Sequence, residues 1–550
     1  MQNMVTRTLV TVVLLLTGLV STGAMAETGG LSLDEALDRV VEREHQFVAT
    51  MKGLHPLAET YVQEYRRRTD REAEPVSDHY FLGRISLNDA VGEVPFQKQR
   101  SGFHFSSPLP SMFSEKLLPQ GFVQMIALDE NFQRINYHFN FVRREFLGEV
   151  RCIVIDVMPK EATRTGLFTG RMWVEDRGFN IVRFNGTYSG SSKYKHYLHF
   201  DSWRFNVQGD VWLPSYTYVE EAGTQTDSAL SRDLLLKAQI RLWAYDPEQA
   251  SHYDEFAEIK VDSSVEDRSE SPDYGPVKAQ RMWERMAEDN ALEHLRKVGL
   301  IAPPGNVDTV LQTVVNNIII GNRLDVEPEV RCRVLLTAPL ESFTIGHTIV
   351  LSRGLLDALP DEAALAAVLA HELGHIVLGH PIDTRFAFND RFFFPDTQTF
   401  RRLVFKRNIA EEKAADGKAM ELLANSTYKD QLSSAGLFLS ALHDRLPSLA
   451  NLVTPHMGNR IVSSRNFAMA SVLNSAPALE KSRLDQVAAL PVGSRIKLDP
   501  WSNEIAMLNP QTVAPVTASE KMPFGVTPFF PFLRYSQADR KLVAENPAGK

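Results

Sequence analysis

Apolar and polar positions recur along this chain with a helical period in some segments and a strand-like alternation in others. The change from one to the other indicates where its domains begin and end. Over Leu33–Arg68 the apolar residues recur at helical spacing, which predicts an N-terminal helical segment within residues 27–79. Beyond it, short alternating or apolar runs are separated by turn sequences such as Asp176-Arg177-Gly178. Runs at this hairpin spacing predict a largely antiparallel β domain over residues 80–250.

Helical spacing returns in the second half of the chain. Residues 251–285 are acidic and rich in serine, which predicts a linker. Residues 286–475 contain several apolar-faced helical stretches, which predict a mainly helical domain. Residues 476–550 include the proline- and phenylalanine-rich run Met522–Leu533, which cannot be a regular helix and predicts an extended C-terminal arm. The expected fold class is α+β.

The first 26 residues have the pattern of a secretory signal peptide. One basic residue, Arg7, precedes an apolar run from Leu9 to Val20, and Ala24-Met25-Ala26 forms a cleavage site of small residues. The apolar run is short for a bilayer span, and no other stretch reaches about eighteen apolar residues. We therefore expect an exported mature chain from Glu27 without a transmembrane anchor, in the bacterial periplasm or the extracellular space.

Composition narrows the choice of partners. The 59 basic and 68 acidic side chains give a net charge of −9, which disfavours nucleic acid or an anionic membrane surface as the main partner. The two cysteines, Cys152 and Cys332, each lie in a strand-like run, and two cysteines cannot form a disulfide framework. We expect two buried thiols, and a disulfide between the domains is the alternative.

Candidate chemistry is concentrated in one apolar segment that ends at His380. His371 and His375 lie four residues apart in a predicted helix, so both imidazoles fall on one face and can bind one metal ion. Glu372 can reach a water beside that metal and act as general base. The helix is apolar all round and hence buried, and buried polar side chains need partners. We expect His380 beside the metal ligands rather than among them.

A second helical segment offers the third ligand. Glu412 and Asp416 lie four residues apart, on the same helix face. A catalytic zinc uses three protein ligands and an open position, and two histidines with one glutamate are a standard set. We therefore expect one Zn²⁺ per chain, held by the two histidines and Glu412, with Asp416 hydrogen-bonded to a ligand histidine. Glu411 is the alternative ligand, but no aspartate follows it at this spacing.

These two motifs resemble those of the gluzincin zinc metallopeptidases of the HtpX and CAAX-prenyl-protease type, and the resemblance covers residues 286–475. It implies a zincin-type metalloprotease domain with a small edge sheet. The run Phe343–Leu356 resembles the family's edge strand, along which a polypeptide substrate would pair near Thr348–Ser352. The segment around His456 resembles one whose histidine approaches the metal. His456 and Arg460 are then the candidates for stabilising the oxyanion.

The function predicted from these features is an exported zinc metalloendopeptidase that hydrolyses peptide bonds, with envelope protein quality control as its setting. One alternative is a chaperone or assembly factor with a latent protease site, in which His456 fills the fourth zinc position and the β domain binds a ligand. The β pattern resembles the half-barrels of periplasmic lipoprotein carriers and stress sensors. The other alternative is a ligand-binding protein with a structural zinc, although such sites are usually closed by four residues that include cysteine.

Overall fold

The computed structural model of the chain describes its helices, its sheets and many of their connections. The described residues are 32–66, 74–86, 92–95, 122, 125–128, 131–161, 166–188, 197–222, 234–245, 276–383, 402–462, 472, 476–480, 495–508, 524–528 and 531–536. The predicted signal peptide, residues 1–26, and the predicted linker up to residue 275 lie outside the described residues.

Ten antiparallel strands form one large sheet in the first half of the chain. They are β1 (Leu57–Arg66), β2 (Glu74–Ser86), β3 (Gly92–Pro95), β4 (Tyr137–Leu147), β5 (Val150–Pro159), β6 (Phe168–Glu175), β7 (Ile181–Tyr188), β8 (Tyr197–Gln208), β9 (Val211–Ala222) and β10 (Leu234–Trp243). Strands β4 to β10 follow one another in hairpin order, and β10 then pairs with β1, which continues into β2 and β3. This is the antiparallel arrangement that the turn pattern predicts.

The first helix is shorter than the sequence predicts. Helix α1 (Leu33–Lys52) ends before Pro56, and the next residues form β1, which pairs with both β2 and β10. The prediction of helix up to Arg68 was therefore wrong after Pro56. Leu57, Tyr61 and Tyr65 lie four residues apart, and this spacing places them on one face of a helix or of a strand alike. The apolar spacing therefore could not distinguish a helix from a strand. The segment is a strand because it pairs with β2 and with the distant strand β10.

Helices dominate the second half of the chain. They are α2 (Pro276–Lys297), α3 (Asn306–Asn322), α4 (Arg353–Ala358), α5 (Glu362–Val377), α6 (Ile409–Ala424), α7 (Leu432–Arg445) and α8 (Ala450–Val453). Helix α2 begins inside the predicted linker 251–285, because Pro276 suits a first helical turn, where its missing N–H is not needed. The linker prediction was therefore wrong from Pro276 onwards.

A small sheet lies among these helices and contacts α5. Its strands are β11 (Arg331–Leu335), β12 (Glu341–Ile345), β13 (Thr348–Ser352) and β14 (Asn459–Arg460), in the order β11-β13-β12-β14. Strand β13 is parallel to β11 and antiparallel to β12, and β12 is antiparallel to β14. A two-stranded hairpin of β15 (Ile496–Leu498) and β16 (Ile505–Met507) follows towards the C-terminus.

The two halves of the chain share one hydrophobic core. Tyr61 and Trp243 of the large sheet are fully buried in the same cluster as Leu369 of α5. Val62, the neighbour of Tyr61, belongs to a second cluster, in which the sheet packs against Val40 of α1. The large sheet thus buries side chains on both of its faces. The fold is α+β, as predicted, and no helix among the described residues is long and apolar enough to cross a membrane.

Within the predicted C-terminal arm, the hairpin of β15 and β16 contacts α3 and α4, whereas residues 524–526 lie against the large sheet. Gln63 of β1 donates a hydrogen bond from Nε2 to Phe524 O at 2.8 Å. Val526 N donates in turn to Gln63 Oε1 at 2.8 Å. The side chains of Phe524 and Val526 are buried, so this part of the arm is integrated into the fold.

Both cysteines are buried free thiols, Cys152 in β5 and Cys332 in β11. Burial raises the pKa of each thiol to about 12, so neither is a nucleophile at neutral pH. Two buried thiols were expected, and the alternative disulfide between the domains is not formed.

Candidate metal centre

Helix α5 carries the two histidines and the glutamate of the first motif. Its N-terminus is capped by Asp361, whose side chain accepts a hydrogen bond from Ala364 N at 2.9 Å. Most other positions are alanine, leucine or valine, and nearly the whole helix is buried. His371, Glu372 and His375 are buried as well, so their polar atoms need partners from neighbouring elements.

Close packing brings α6 against this face of α5. A Cβ on Gly374 would lie 2.8 Å from Ala415 O and 3.4 Å from Ala415 Cα, so only glycine fits at this position. Glycine and alanine therefore let the two backbones approach until Glu412, one turn before Ala415, meets the histidine pair.

His371, His375 and Glu412 form a cluster of candidate ligand atoms within 4.8 Å of one another. The Nε2 atoms of His371 and His375 are 3.3 Å apart, and each lies 3.4 Å from a carboxylate oxygen of Glu412. Zinc bonds of ~2.0–2.1 Å at tetrahedral angles separate neighbouring ligand atoms by about 3.3–3.4 Å. His371 and His375 approach different oxygens of Glu412, and the three side chains converge closely enough to hold one metal ion. Two histidines and one glutamate are the donor set of a catalytic zinc site.

Glu411 has a different role from its neighbour. Asn408 N donates to Glu411 Oε2 at 3.3 Å, and Asn408 Oδ1 accepts from Glu411 N at 3.0 Å, which together form a capping box at the start of α6. The side chain of Glu411 belongs to this capping box, whereas that of Glu412 faces the histidines. The structure thus brings Glu412, rather than the alternative Glu411, into the cluster.

Contacts within the cluster favour the charged forms of Glu412 and His371. Burial raises the pKa of the Glu412 carboxyl, but hydrogen bonds with His371 and His375 outweigh burial and hold the pKa well below its usual value. Burial lowers the pKa of His371, whereas Glu412 and Glu372 raise it, and the net direction is upwards. A negative carboxylate between two imidazoles is an electrostatic setting suited to a cation.

Two predicted neighbours of the ligands lie next to them. His380 Nδ1 lies 2.8 Å from His375 Nδ1, so His380 contacts the ring nitrogen that faces away from the cluster. Asp416 is buried, and its negative charge raises the pKa of His371. Asp416 acts on His371 through charge rather than through the predicted hydrogen bond, because His371 Nδ1 has no hydrogen-bond partner among the described residues.

The sequence analysis missed two polar contacts to the glutamates. Ser342 Oγ of β12 donates a hydrogen bond to Glu372 Oε1 at 2.7 Å. Asn459 Nδ2 of β14 donates to Glu412 Oε1. Neither residue belongs to a recognisable metal motif. The one signal in the sequence is that Asn459 precedes Arg460, in the segment from His456 that was predicted to approach the metal.

Arg407 is a third residue that the sequence analysis missed. It lies just before α6, lines the same cavity as the cluster and donates to Thr344 Oγ1 at 3.2 Å and to Pro381 O. Burial lowers the pKa of its guanidinium, while Glu411, Glu372 and Glu412 favour the charged form. Arg407 therefore places a positive charge at the rim of the cluster.

Of the two candidates for the oxyanion, the structure places only one at the cavity. Arg460 lines the cavity, together with Ser342, Phe343, Thr344, Val368, His371, Glu372, His375, Phe405, Arg407, Glu412, Asn459 and Ile461. His456 is not among these residues, and its approach to the metal stays a prediction. The backbone N–H groups of His456 and the next two residues donate to the buried carboxylate of Glu341.

The predicted substrate strand also needs correction. Thr348–Ser352 forms β13, which pairs with β11 on one side and β12 on the other, so it has no free edge. The strand beside the cavity is β12, whose residues Ser342, Phe343 and Thr344 line it. Strand β14 pairs with Glu341 and Ser342 only. Among the described residues, the rest of β12 has no strand partner on that side.

Glu341 gives the fold a pH dependence that can be measured. Burial raises the pKa of its carboxyl to about 7 from a usual value of 4.5, and the three backbone N–H groups offset only part of this rise. Because the folded-state pKa is raised, the contribution of Glu341 to stability is complete below pH 4.5 and is lost as the pH rises through about 7. The size of this loss is on the order of 2–3 kcal/mol.

Glu341→Gln cannot ionise, so we expect the variant to lose less stability than the wild type between pH 5 and pH 8. Urea unfolding at both pH values measures the difference, and other titrating groups cancel between the two chains. Equal pH slopes in the two chains would show that Glu341 does not titrate in this range.

A helix with His-Glu-x-x-His and a carboxylate from a second helix are the arrangement typical of gluzincin metallopeptidases. Residues 309–394, which include β11, β12, β13 and α5, match the model of Peptidase family M48. This match confirms the predicted resemblance to the HtpX and CAAX-protease type of gluzincin and indicates a metallopeptidase. The sequence matches no curated protein.

Three solved structures are similar to about two-fifths of the chain. A LolA superfamily protein from Nitrosomonas europaea is 11% identical, with 38% of this chain and 92% of that chain covered and a TM-score of 0.19. A DUF1329 family protein from Desulfovibrio piger is 11% identical, with coverage of 39% and 92% and a TM-score of 0.20. The MucA/MucB complex of Pseudomonas aeruginosa is 9% identical, with 38% of this chain and 92% of that chain covered and a TM-score of 0.12. At these scores the similarity supports no statement about ligands or partners.

Proposed function

We propose that the chain is a zinc-dependent metalloendopeptidase that hydrolyses peptide bonds. The observation that carries the proposal is the convergence of two imidazoles and one carboxylate, whose candidate ligand atoms lie within 4.8 Å of one another. The three side chains that would hold the metal line the same cavity as Glu372. A structural zinc is disfavoured, because such sites are usually closed by a fourth protein ligand and no cysteine lies in the cluster.

In this proposal His371, His375 and Glu412 hold the metal, and the other residues of the cavity move protons and stabilise charge. Zinc held by these side chains supplies Lewis-acid chemistry at its open position. Glu372 Oε1 accepts the hydrogen bond of Ser342, so Oε2 is the atom that takes the proton of the attacking water. Glu372 then returns this proton to the leaving amine. Arg460 and Arg407 lie where positive charge can stabilise the oxyanion.

The proposed substrate is a polypeptide in extended conformation. The part of β12 beyond its pairing with β14, from Phe343 to Ile345, offers backbone groups to an added strand beside the cavity. A strand added there would run past His371 and Glu372, which line the same cavity. We place the substrate on β12 instead of on β13, where the sequence had predicted it.

Export and a role in envelope protein quality control belong to the same proposal. They rest on the secretory pattern of residues 1–26, with cleavage before Glu27. The alternative is a chaperone with a latent site, in which His456 fills the fourth zinc position.

Digestion of unfolded casein by the purified chain from Glu27 tests the proposed activity. We expect cleavage by the zinc-loaded chain, loss of cleavage after chelation and recovery on addition of zinc, because the metal is held by three side chains only. Stable binding of casein without cleavage at any zinc concentration would favour the chaperone alternative.

A further inference from the structure

We propose that Ser342 and Asn459 form one cross-strand pair that positions both glutamates of the site. The inference rests on the proposed function and names two residues that the motifs do not contain. Neither residue is placed as a ligand or as a proton carrier. Each acts through the carboxylate that it contacts, so both are positioning residues.

The pair is defined by the register of two strands. Ser342 of β12 lies directly opposite Asn459 of β14. Directly opposite residues in an antiparallel pair project to the same face of the sheet, so the two side chains reach the cavity together. Ser342 Oγ donates to Glu372 Oε1 at 2.7 Å, and Asn459 Nδ2 donates to Glu412 Oε1. Two directly opposite residues of β12 and β14 therefore contact the carboxylates of Glu372 and Glu412.

Each contact fixes the rotation of a carboxylate that has two equivalent oxygens. Glu412 Oε1, held by Asn459, lies 3.4 Å from His375 Nε2, and Oε2 is thereby turned towards His371 Nε2 at 3.4 Å. Asn459 is itself fixed, because its Nδ2 also donates to Arg407 O at 3.1 Å. Ser342 likewise holds one oxygen of Glu372 and leaves the other for the proton.

The pair depends on the docking of β14, which is only two residues long. Its approach is secured by Glu341, the neighbour of Ser342, whose carboxylate accepts from three consecutive backbone N–H groups just before Asn459. The side chains at 341 and 342 point to opposite faces of β12, so one strand both anchors the loop and reaches the site.

The two contacts have separable consequences, and this makes the inference testable. Loss of the Asn459 contact should act on the ligand Glu412 and hence on metal affinity. Loss of the Ser342 contact should act on the base Glu372 and hence on the chemical step. A general loosening of β12 against β14 would instead change both quantities in both variants.

For Asn459 we expect Asn459→Ala and Asn459→Leu to weaken zinc affinity by roughly 10- to 100-fold, the usual cost of losing a partner of a metal ligand. Leucine keeps the volume of asparagine but cannot donate, so it separates the hydrogen bond from packing. Competition with a chromophoric chelator measures the zinc Kd of the full mature chain. Asn206→Ala in β8, which removes another buried asparagine outside the site, is the matched control and should leave the Kd unchanged.

For Ser342 we expect Ser342→Ala to keep the zinc Kd and KM but to lower kcat by roughly 10- to 100-fold, since hydrogen bonds to charged groups have this strength. Ser342→Thr retains the hydroxyl and should recover most of kcat. Ser202→Ala, at a buried strand serine that bonds Thr217 in the large sheet, is the matched control.

Unchanged zinc Kd in both Asn459 variants would overturn the inference, as would zinc loss in Ser342→Ala equal to that in Asn459→Ala. Failure of the proposed function would appear in the wild type itself, as absent zinc binding or absent cleavage. That result would remove the basis of both proposals, whereas failure of the inference alone would appear only in the variants.

Discussion

Replacing Glu372 with glutamine is expected to lower proteolysis by roughly 10²- to 10⁴-fold while the chain keeps its zinc. The amide has nearly the same shape as the carboxylate and can still accept the hydrogen bond of Ser342. It cannot take a proton from water, so the general-base step is lost. Initial rates on a peptide substrate, together with elemental analysis of the same sample, measure both quantities.

Glu362→Gln is the matched control for this experiment. Glu362 lies in the first turn of the same helix and accepts a hydrogen bond from Tyr428 OH at 2.7 Å, away from the cavity. The same chemical change there should leave the rate within about twofold, because no proton transfer passes through it. Full activity in a zinc-loaded Glu372→Gln chain would place the general base elsewhere.

The arrangement of the site could be predicted as far as it depends on local helix geometry. His371 and His375 share a helix face because they lie four residues apart, and this relation does not depend on the rest of the fold. The spacing of Glu412 from Asp416 also favoured the correct neighbour of the two glutamates, and the capping box of α6 gives the physical reason why Glu411 points away.

The predictions that were wrong concern strands whose partners lie far away in the sequence. The register of β1 against β10 joins residues almost two hundred positions apart, and no short-range period distinguishes that strand from a helix. Strand β13 is interior because β11 pairs with it in parallel, which a sequence cannot show by alternation alone. Ser342 and Asn459 meet only because β14 docks on β12, so their roles could not be read from either segment by itself.

Removing one candidate ligand is expected to abolish tight zinc binding. In His371→Ala, His375→Ala and Glu412→Ala only two of the three converging donors remain. We therefore expect zinc affinity to fall by more than the ~10- to 100-fold that is typical of losing a ligand's partner, and proteolysis to disappear with the metal. Elemental analysis after dialysis, followed by competition with a chelator, gives the stoichiometry and the Kd.

Glu411→Ala is the control that tests the register of α6. Glu411 Oε2 accepts a hydrogen bond from Asn408 N at 3.3 Å, so the variant loses one contact of the capping box. It should keep one zinc per chain, because Glu412 remains against the histidines. Retention of zinc in Glu412→Ala with loss in Glu411→Ala would mean that α6 is rotated by one residue. Retention in either histidine variant would remove that histidine from the metal site.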